Sequence, residues 1–206
     1  MRTTKATMMR GEATRRAILD AAEHVFAELG FSTARLEDVA AAVGIRRASL
    51  VYYFRGKQEL YDAVETGIFA DLQKETEQRL AGLTDPWERI NAVIDSWLDF
   101  MVARPTAARI ITRNIADITP RASNPVEFSE TTVAMLEALI TEGQAAGAFG
   151  PIRPLHVVNI AGAGVLQFVC NARQFGRERT YCPDDPDEIA TYRQLLHKVT
   201  RTLLEP

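Results

Sequence analysis

Apolar residues recur three and four positions apart along almost the whole chain, and no stretch shows sustained period-two alternation bounded by hairpin turns. Ile18, Ala22, Val25 and Leu29, with Phe26 beside them, mark a first helix over residues 14–29. Gly30 ends it, and Phe31 can fold back on the last turn. Leu36, Val39, Ala40 and Val43 fall at i, i+3, i+4 and i+7, which is one face of a short second helix. That helix stops at Gly44, where glycine adopts the left-handed conformation without steric cost. A third short helix, over about 47–54, has Leu50 and Phe54 on its inner side and Ala48, Ser49, Val51 and Tyr52 off that line.

The pattern stays helical beyond this point. A fourth helix, over about 57–80, carries Leu60, Val64 and Leu72 with Tyr61 and Phe69 alongside. It is too long for a small head and reads as a connector into a second unit. Asp85-Pro86 is a start signal, with an N-cap acid and then proline at the first helical position. The fifth helix follows, through Trp87, Ile90, Val93, Ile94, Trp97 and Phe100–Met101, and stops before Pro105. A sixth over 106–118, a seventh over 126–146 and an eighth over 154–175 come next, with a loop at 119–125. The eighth is apolar around most of its surface and so must be covered on all sides. Gly162 and Gly164 leave room there for another helix. Asp185 caps a ninth helix with one apolar stripe, from Ile189 to Leu203.

Two short helices joined by a tight glycine turn are the pattern of a helix-turn-helix, whose second member enters the DNA major groove. Arg47 starts that second helix, where it can donate two hydrogen bonds to guanine O6 and N7. Arg46 can do the same or bind phosphate. Ser49 can bond a base or a phosphate, and Ala48 and Val51 can touch a thymine methyl. Arg35 and Thr33, near the start of the second helix, are candidate phosphate contacts. Charge changes the picture in the same direction. The net charge is −3, yet residues 1–57 hold 10 Lys/Arg against 6 Asp/Glu, and residues 58–206 hold 14 against 21. A head at +4 on a body at −7 suits a protein that brings one end to phosphate. Residues 1–10, with Arg2, Lys5 and Arg10 and no periodicity, are expected to form a flexible basic arm.

These residues carry a family resemblance. Ile18 to Phe26, Gly30-Phe31, Asp38-Val39-Ala40, Gly44-Ile45, Leu50-Val51-Tyr52-Tyr53-Phe54 and Lys57 resemble, in order and spacing, the DNA-binding domain of the TetR/AcrR family of bacterial transcription regulators. The resemblance covers about residues 14–60. Ala34 and Arg46 stand where the family usually has a Ser or Thr N-cap, which costs about 0.5–2 kcal/mol each unless Ser32, Thr33 or Ser49 substitutes. Val51 stands where the family often has Tyr.

The resemblance implies an all-α protein of about nine helices. A three-helix DNA-binding head (11–57) is joined to a helical effector-binding and dimerisation domain (58–206). It implies that Tyr52, Tyr53 and Lys57 hold the DNA backbone. It implies an effector pocket enclosed by the fourth to eighth helices, with Trp97, Phe100, Met101, Ile110, Arg113, Asn114, Gln167, Phe168 and Asn171 as candidates. Arg113 there meets either a ligand carboxylate or an acidic residue. It also implies a homodimer through the eighth and ninth helices. A separate physical reason points to a dimer: one short reader helix makes too few base contacts for a selective site. A two-fold pair reads a palindrome with half-sites about 10 bp or a multiple apart.

Composition narrows the alternatives. With 206 residues and 47% hydrophobic content there is enough chain for a real core. No run is long and apolar enough to span a membrane, and no secretory h-region is present. Cys170 and Cys182 do not make a disulfide framework, so a reducing cytoplasm is expected. Cys182 alone leaves room for a redox role. His24, His156 and His197 have no neighbours at metal-ligand spacing, and no catalytic set or phosphate loop appears. No enzyme, metal or cofactor is therefore expected. The expectation is a dimeric repressor released from a palindromic operator by a small-molecule effector. An activator or a ligand-independent DNA-binding protein is the alternative.

Overall fold

The computed structural model describes residues 2–116, 126–174, 176, 178 and 180–206, those at 2–10 and 126–129 by backbone alone. Among the described residues all nine regular elements are helices. They are α1 (Arg2–Thr33), α2 (Leu36–Val43), α3 (Arg47–Tyr53), α4 (Lys57–Leu80), α5 (Pro86–Ala103), α6 (Pro105–Ala116), α7 (Val126–Ala145), α8 (Pro154–Cys170) and α9 (Pro186–Leu204). The all-α expectation holds. The expected loop at 119–125 lies outside the described residues.

α1 begins at Arg2, well before residue 14, so the backbone of the basic arm continues the first helix. The side chains of Arg2, Lys5 and Arg10 lie outside the described residues. Gly30, at φ 75° and ψ 163°, takes the chain off the helical path where the sequence predicts the stop. The buried face differs from the expected one. Ile18, Ala22, Phe26 and Ala27 are buried, while Leu29 is 42% exposed. The face follows Phe26 because its ring packs edge-on against Tyr61 of α4, at 4.8 Å between centroids.

α2 buries Leu36, Val39 and Ala40. Gly44 (φ 74°) then reverses the chain, and Ile45 N–H reaches back to the Ala40 carbonyl at 3.0 Å. α3 roots itself through Leu50 and Phe54, both fully buried. The Arg15 guanidinium of α1 lies 5.0 Å from the centre of the Phe54 ring, so α1 braces the reader from behind. The N-caps of α2 and α3 are Arg35 and Arg46, and neither side chain makes a cap bond. At α2 the loss is offset by Asp38, whose carboxylate accepts from Arg35 N–H at 2.9 Å. Neither Ser32, Thr33 nor Ser49 takes the cap position.

α4 presents Leu60, Tyr61, Val64, Ile68 and Leu72 on one buried side and packs on α1 at one end and α5 at the other. α5 is the centre of the body, touching α4, α6, α7, α8 and α9. Asp85 caps it as expected, accepting from Glu88 N–H at 2.9 Å. α8 ends at Cys170, earlier than the periodicity predicts, with Asn171 N–H closing onto Gln167 O at 3.0 Å. Within one chain α8 is not covered all round: Leu155 and Ile160 on α8 and Leu195 on α9 are 42%, 47% and 50% exposed.

The uncapped α3 gives a direct test. Arg46 already has the extended backbone of an N-cap (φ −75°, ψ 146°). Arg46→Ser is expected to stabilise the protein by about 1 kcal/mol, read as a higher midpoint in chemical denaturation.

Candidate nucleic-acid interface and effector cavity

With Leu50 and Phe54 turned inward, Arg46, Arg47, Ala48, Ser49, Val51 and Tyr52 of α3 are all exposed, Tyr52 at 85%. Tyr53 is half-buried with its ring against that of Tyr52, at 5.2 Å between centroids. Arg35 and Thr33 are exposed at the entry to α2. Arg47 is not isolated: its Nε lies 2.9 Å from a carboxylate oxygen of Glu37 on α2. Both partners are well exposed, so this pair orients more than it stabilises.

Lys57 departs from expectation. Its ammonium donates to the carbonyls of Phe31 (2.6 Å), Ser32 (3.1 Å) and Ala34 (3.0 Å) and lies 4.6 Å from the centre of the Phe31 ring. An ammonium has three N–H donors, and three carbonyls accept here. Lys57 therefore caps the end of α1, and its side chain is not presented to phosphate.

Arg113 and Asn114 also differ from their expected place. Arg113, in the last turn of α6, donates from Nε to Ala27 O (3.2 Å) and from a terminal nitrogen to Glu28 O (2.9 Å). Both bonds go to backbone carbonyls of α1, not to an acidic side chain. Gly30 admits it, because a Cβ there would lie 3.1 Å from the guanidinium. Asn114 accepts from Tyr61 Oη at 2.7 Å and donates to the buried Glu65, both on α4. Consecutive residues of α6 thus grip the end of α1 and the first half of α4.

A second link joins head and body. Glu23 of α1, only 6% exposed, accepts from Arg104 between α5 and α6 and from Thr106 of α6. Arg104 also reaches Asp71 of α4 at 2.9 Å. Burial by itself would raise the Glu23 pKa. The hydrogen bonds from Arg104 and Thr106 outweigh it and hold the carboxyl below its ordinary value. These groups line an open, charged cleft of about 850 Å³ between α1, α4 and the α5–α6 corner, in which Arg104 is already paired.

The apolar hollow lies deeper, between α4, α5, α7 and α8, with a volume of about 120 Å³. Of the nine effector candidates, only Trp97 lines it. Met101 and Ile110 are fully buried core residues, and Phe100 is buried with Arg104 over its ring at 5.7 Å. Phe168 stacks on Tyr192 of α9 (4.2 Å) and on Tyr181 (5.0 Å), Gln167 is exposed, and Asn171 closes α8. The lining instead includes Phe69, Thr76, Val93, Leu136, Val158 and Gly162. The α8 glycines were the available signal, and they divide. A Cβ at Gly164 would lie 3.0 Å from Tyr192 Oη, so α9 does approach there. A Cβ at Gly162 would meet nothing within 4 Å, so that space stays open.

The remaining chemistry is quiet. Cys182 donates to Asp184 at 2.8 Å, and that carboxylate pushes the thiol pKa up, which disfavours the reactive thiolate. His197 pairs with Asp95 at 2.8 Å. Among the described residues no group of three or more metal-ligating side chains gathers, and no helix is long and apolar enough to cross a membrane.

A braced helix-turn-helix with an exposed reader face, joined by a long helix to a hollow helical body, is the architecture of a DNA-binding transcription regulator. The comparisons place it more closely. Residues 18–64 match the model described as bacterial regulatory proteins of the tetR family, and residues 83–171 match the tetracyclin repressor-like C-terminal domain. The chain belongs to the TetR family. It is 29% identical to the HTH-type transcriptional regulator RutR of Escherichia coli K12, over 94% of this chain and 90% of that protein. It is 27% identical to the HTH-type transcriptional repressor NicS of Pseudomonas putida, over 72% and 71%. The structure of AibR in complex with isovaleryl coenzyme A and operator DNA superposes with a TM-score of 0.70 at 19% identity, covering 94% of this chain and 99% of that one.

The Glu23 link carries a pH signature. Its folded pKa is depressed, so its contribution is complete above the unfolded carboxylate value of about 4.3 and is lost as pH falls through the folded value. Glu23→Gln is expected to cost about 1–3 kcal/mol at pH 7. The variant's stability should also fall less steeply with acid than the parent's. Denaturation midpoints from pH 7 to pH 3 check both.

Proposed function

We propose that the protein is a dimeric repressor that occupies a palindromic operator and is released by a small molecule in the α4–α5–α7–α8 hollow. The observation that carries this is the reader helix. Leu50 and Phe54 fix α3 from within, and its solvent face offers Arg46, Arg47, Ser49 and Tyr52 together. Arg47 reads guanine. Its bond to Glu37 uses Nε, so the two terminal nitrogens can face O6 and N7. Ala48 and Val51 supply apolar contact to thymine methyls. Arg35, Arg46, Tyr52 and Tyr53 hold the phosphates, which sets register without carrying sequence information. The side chain of Lys57 is left out of this set because α1 uses it.

The dimer forms through α8 and α9. Leu155, Ile160 and Leu195 are large apolar side chains open to solvent in the single chain, and a two-fold copy of the same face covers them. Release follows from linkage. A molecule that prefers the body shape of the non-binding state shifts the dimer toward it by its difference in affinity and no more. The route to the head is short, since α4 walls the hollow at Phe69, Leu72 and Thr76 and carries Glu65 about one turn and Tyr61 about two turns before Phe69.

Two measurements test this reading. In an electrophoretic shift on the DNA beside its own gene, Arg47→Ala is expected to lose about 1–3 kcal/mol of binding and relax selectivity at one position per half-site. Unaltered affinity would remove the base-reading role. Ile160→Asp is expected to sediment as a monomer and to lose the operator while keeping its helical circular dichroism. A dimeric Ile160→Asp protein would place the interface elsewhere.

A further inference from the structure

We infer that the hollow takes a small, uncharged, apolar molecule as its whole ligand and rejects both ionised groups and long chains. This rests on the reading of the hollow as the effector site and adds its ligand class. Size is the first constraint. The hollow holds about 120 Å³. An apolar cavity of about 150 Å³ takes up one benzene ring, and this hollow is somewhat smaller, so one ring or a branched chain of about five carbons is the upper limit. A long fatty chain does not fit without displacing core side chains.

Chemistry is the second constraint. Among the described residues, no Asp, Glu, Lys, Arg or His lines the hollow. Two of its polar groups already have partners. Thr76 donates to Leu72 O at 2.8 Å and bonds Ser96 Oγ at 3.1 Å, and the Trp97 indole N–H reaches Gly162 O at 3.3 Å. Thr132 adds a hydroxyl. An ionised carboxylate placed here would lose its water and find no cation in return, and burying an unpaired charge is far more costly than burying a methyl group. One hydroxyl-sized polar atom is the most the lining can serve.

Gly162 supplies the control. It lies on the wall, its Cβ position is open, and it sits inside a helix, where replacing glycine favours the folded state. Gly162→Leu should fill the hollow and leave the fold intact. Ala161→Leu, on the same wall, serves as the second variant if the first does not fold.

The experiment uses the full chain and four probes: benzene, isoamyl alcohol, isovalerate and 1-dodecanol. Affinity is read by calorimetry and by the rise in melting temperature that a ligand of the folded state produces. Benzene and isoamyl alcohol are expected to bind saturably. Isovalerate and dodecanol are expected to be at least tenfold weaker, and the filled variant should lose benzene and isoamyl alcohol by tenfold or more. Tighter binding of isovalerate or dodecanol, no binding of either small neutral probe, or undiminished binding to a folded filled variant would each overturn the inference. Operator release is scored separately. Small neutral probes that bind in the hollow yet leave DNA bound would refute the effector reading and keep the ligand class. Release by a long or charged compound, abolished in the filled variant, would do the reverse.

Discussion

The end of a helix leaves carbonyls with no amide to bond, and something must supply the donors. At the end of α1 two cations do so, and they come from different helices. Lys57 of α4 takes the carbonyls of Phe31, Ser32 and Ala34, and Arg113 of α6 takes those of Ala27 and Glu28. Both also complement the negative end of the helix dipole. The head cannot rotate on the body without breaking these bonds or carrying α4 and α6 with it. α1 is in turn what the reader rests on, through Arg15 on Phe54. The placement of α3 is therefore tied to the body through one helix end.

This constraint explains why the charges most conspicuous in the sequence are not where isolated reading puts them. Lys57 opens a helix in a basic head, which is the usual place of a phosphate contact, and Arg113 sits among isoleucines, which suggests a ligand anion. Neither position reveals that Gly30 leaves the helical path and exposes a set of carbonyls to satisfy. The donors are in α4 and α6, the acceptors lie 23 to 26 and 85 to 86 residues earlier, and no local periodicity links them.

The legible part of the chain was the local part. Helix type, the Gly44 turn, the Asp85 and Asp185 caps and the inward pair Leu50 and Phe54 follow from spacing over a few residues, and each stands in the structure. The reader face was legible for the same reason, since exposed positions are what remains once the inner pair is set. The hollow was not. A cavity is a deficit of volume between four helices, and aromatic or mixed-polarity positions do not signal it. Phe100, Met101 and Ile110 have the composition of a ligand site but are packed solid. Gly162 and Ala161, small and unremarkable in sequence, leave the space.

The same geometry gives the body two routes to the head that differ in kind. α4 runs from the wall of the hollow to the base of the reader unit, so a shift of its body end moves Lys57 directly. α6 does not line the hollow, yet its last turn holds α1 through Arg113 and α4 through Asn114, and its first turn holds Glu23 through Thr106. A displacement of α4 alone would stretch the Asn114 bonds to Tyr61 and Glu65, and Glu65 is a buried acid whose loss of partners is expensive. α4 and α6 are thus favoured to move together, and α1 with them. Because packed interfaces resist continuous deformation, such a set changes between discrete arrangements. In the dimer we propose, the spacing of the two reader helices then takes one of a few values, which is the property an operator with fixed half-site separation can detect.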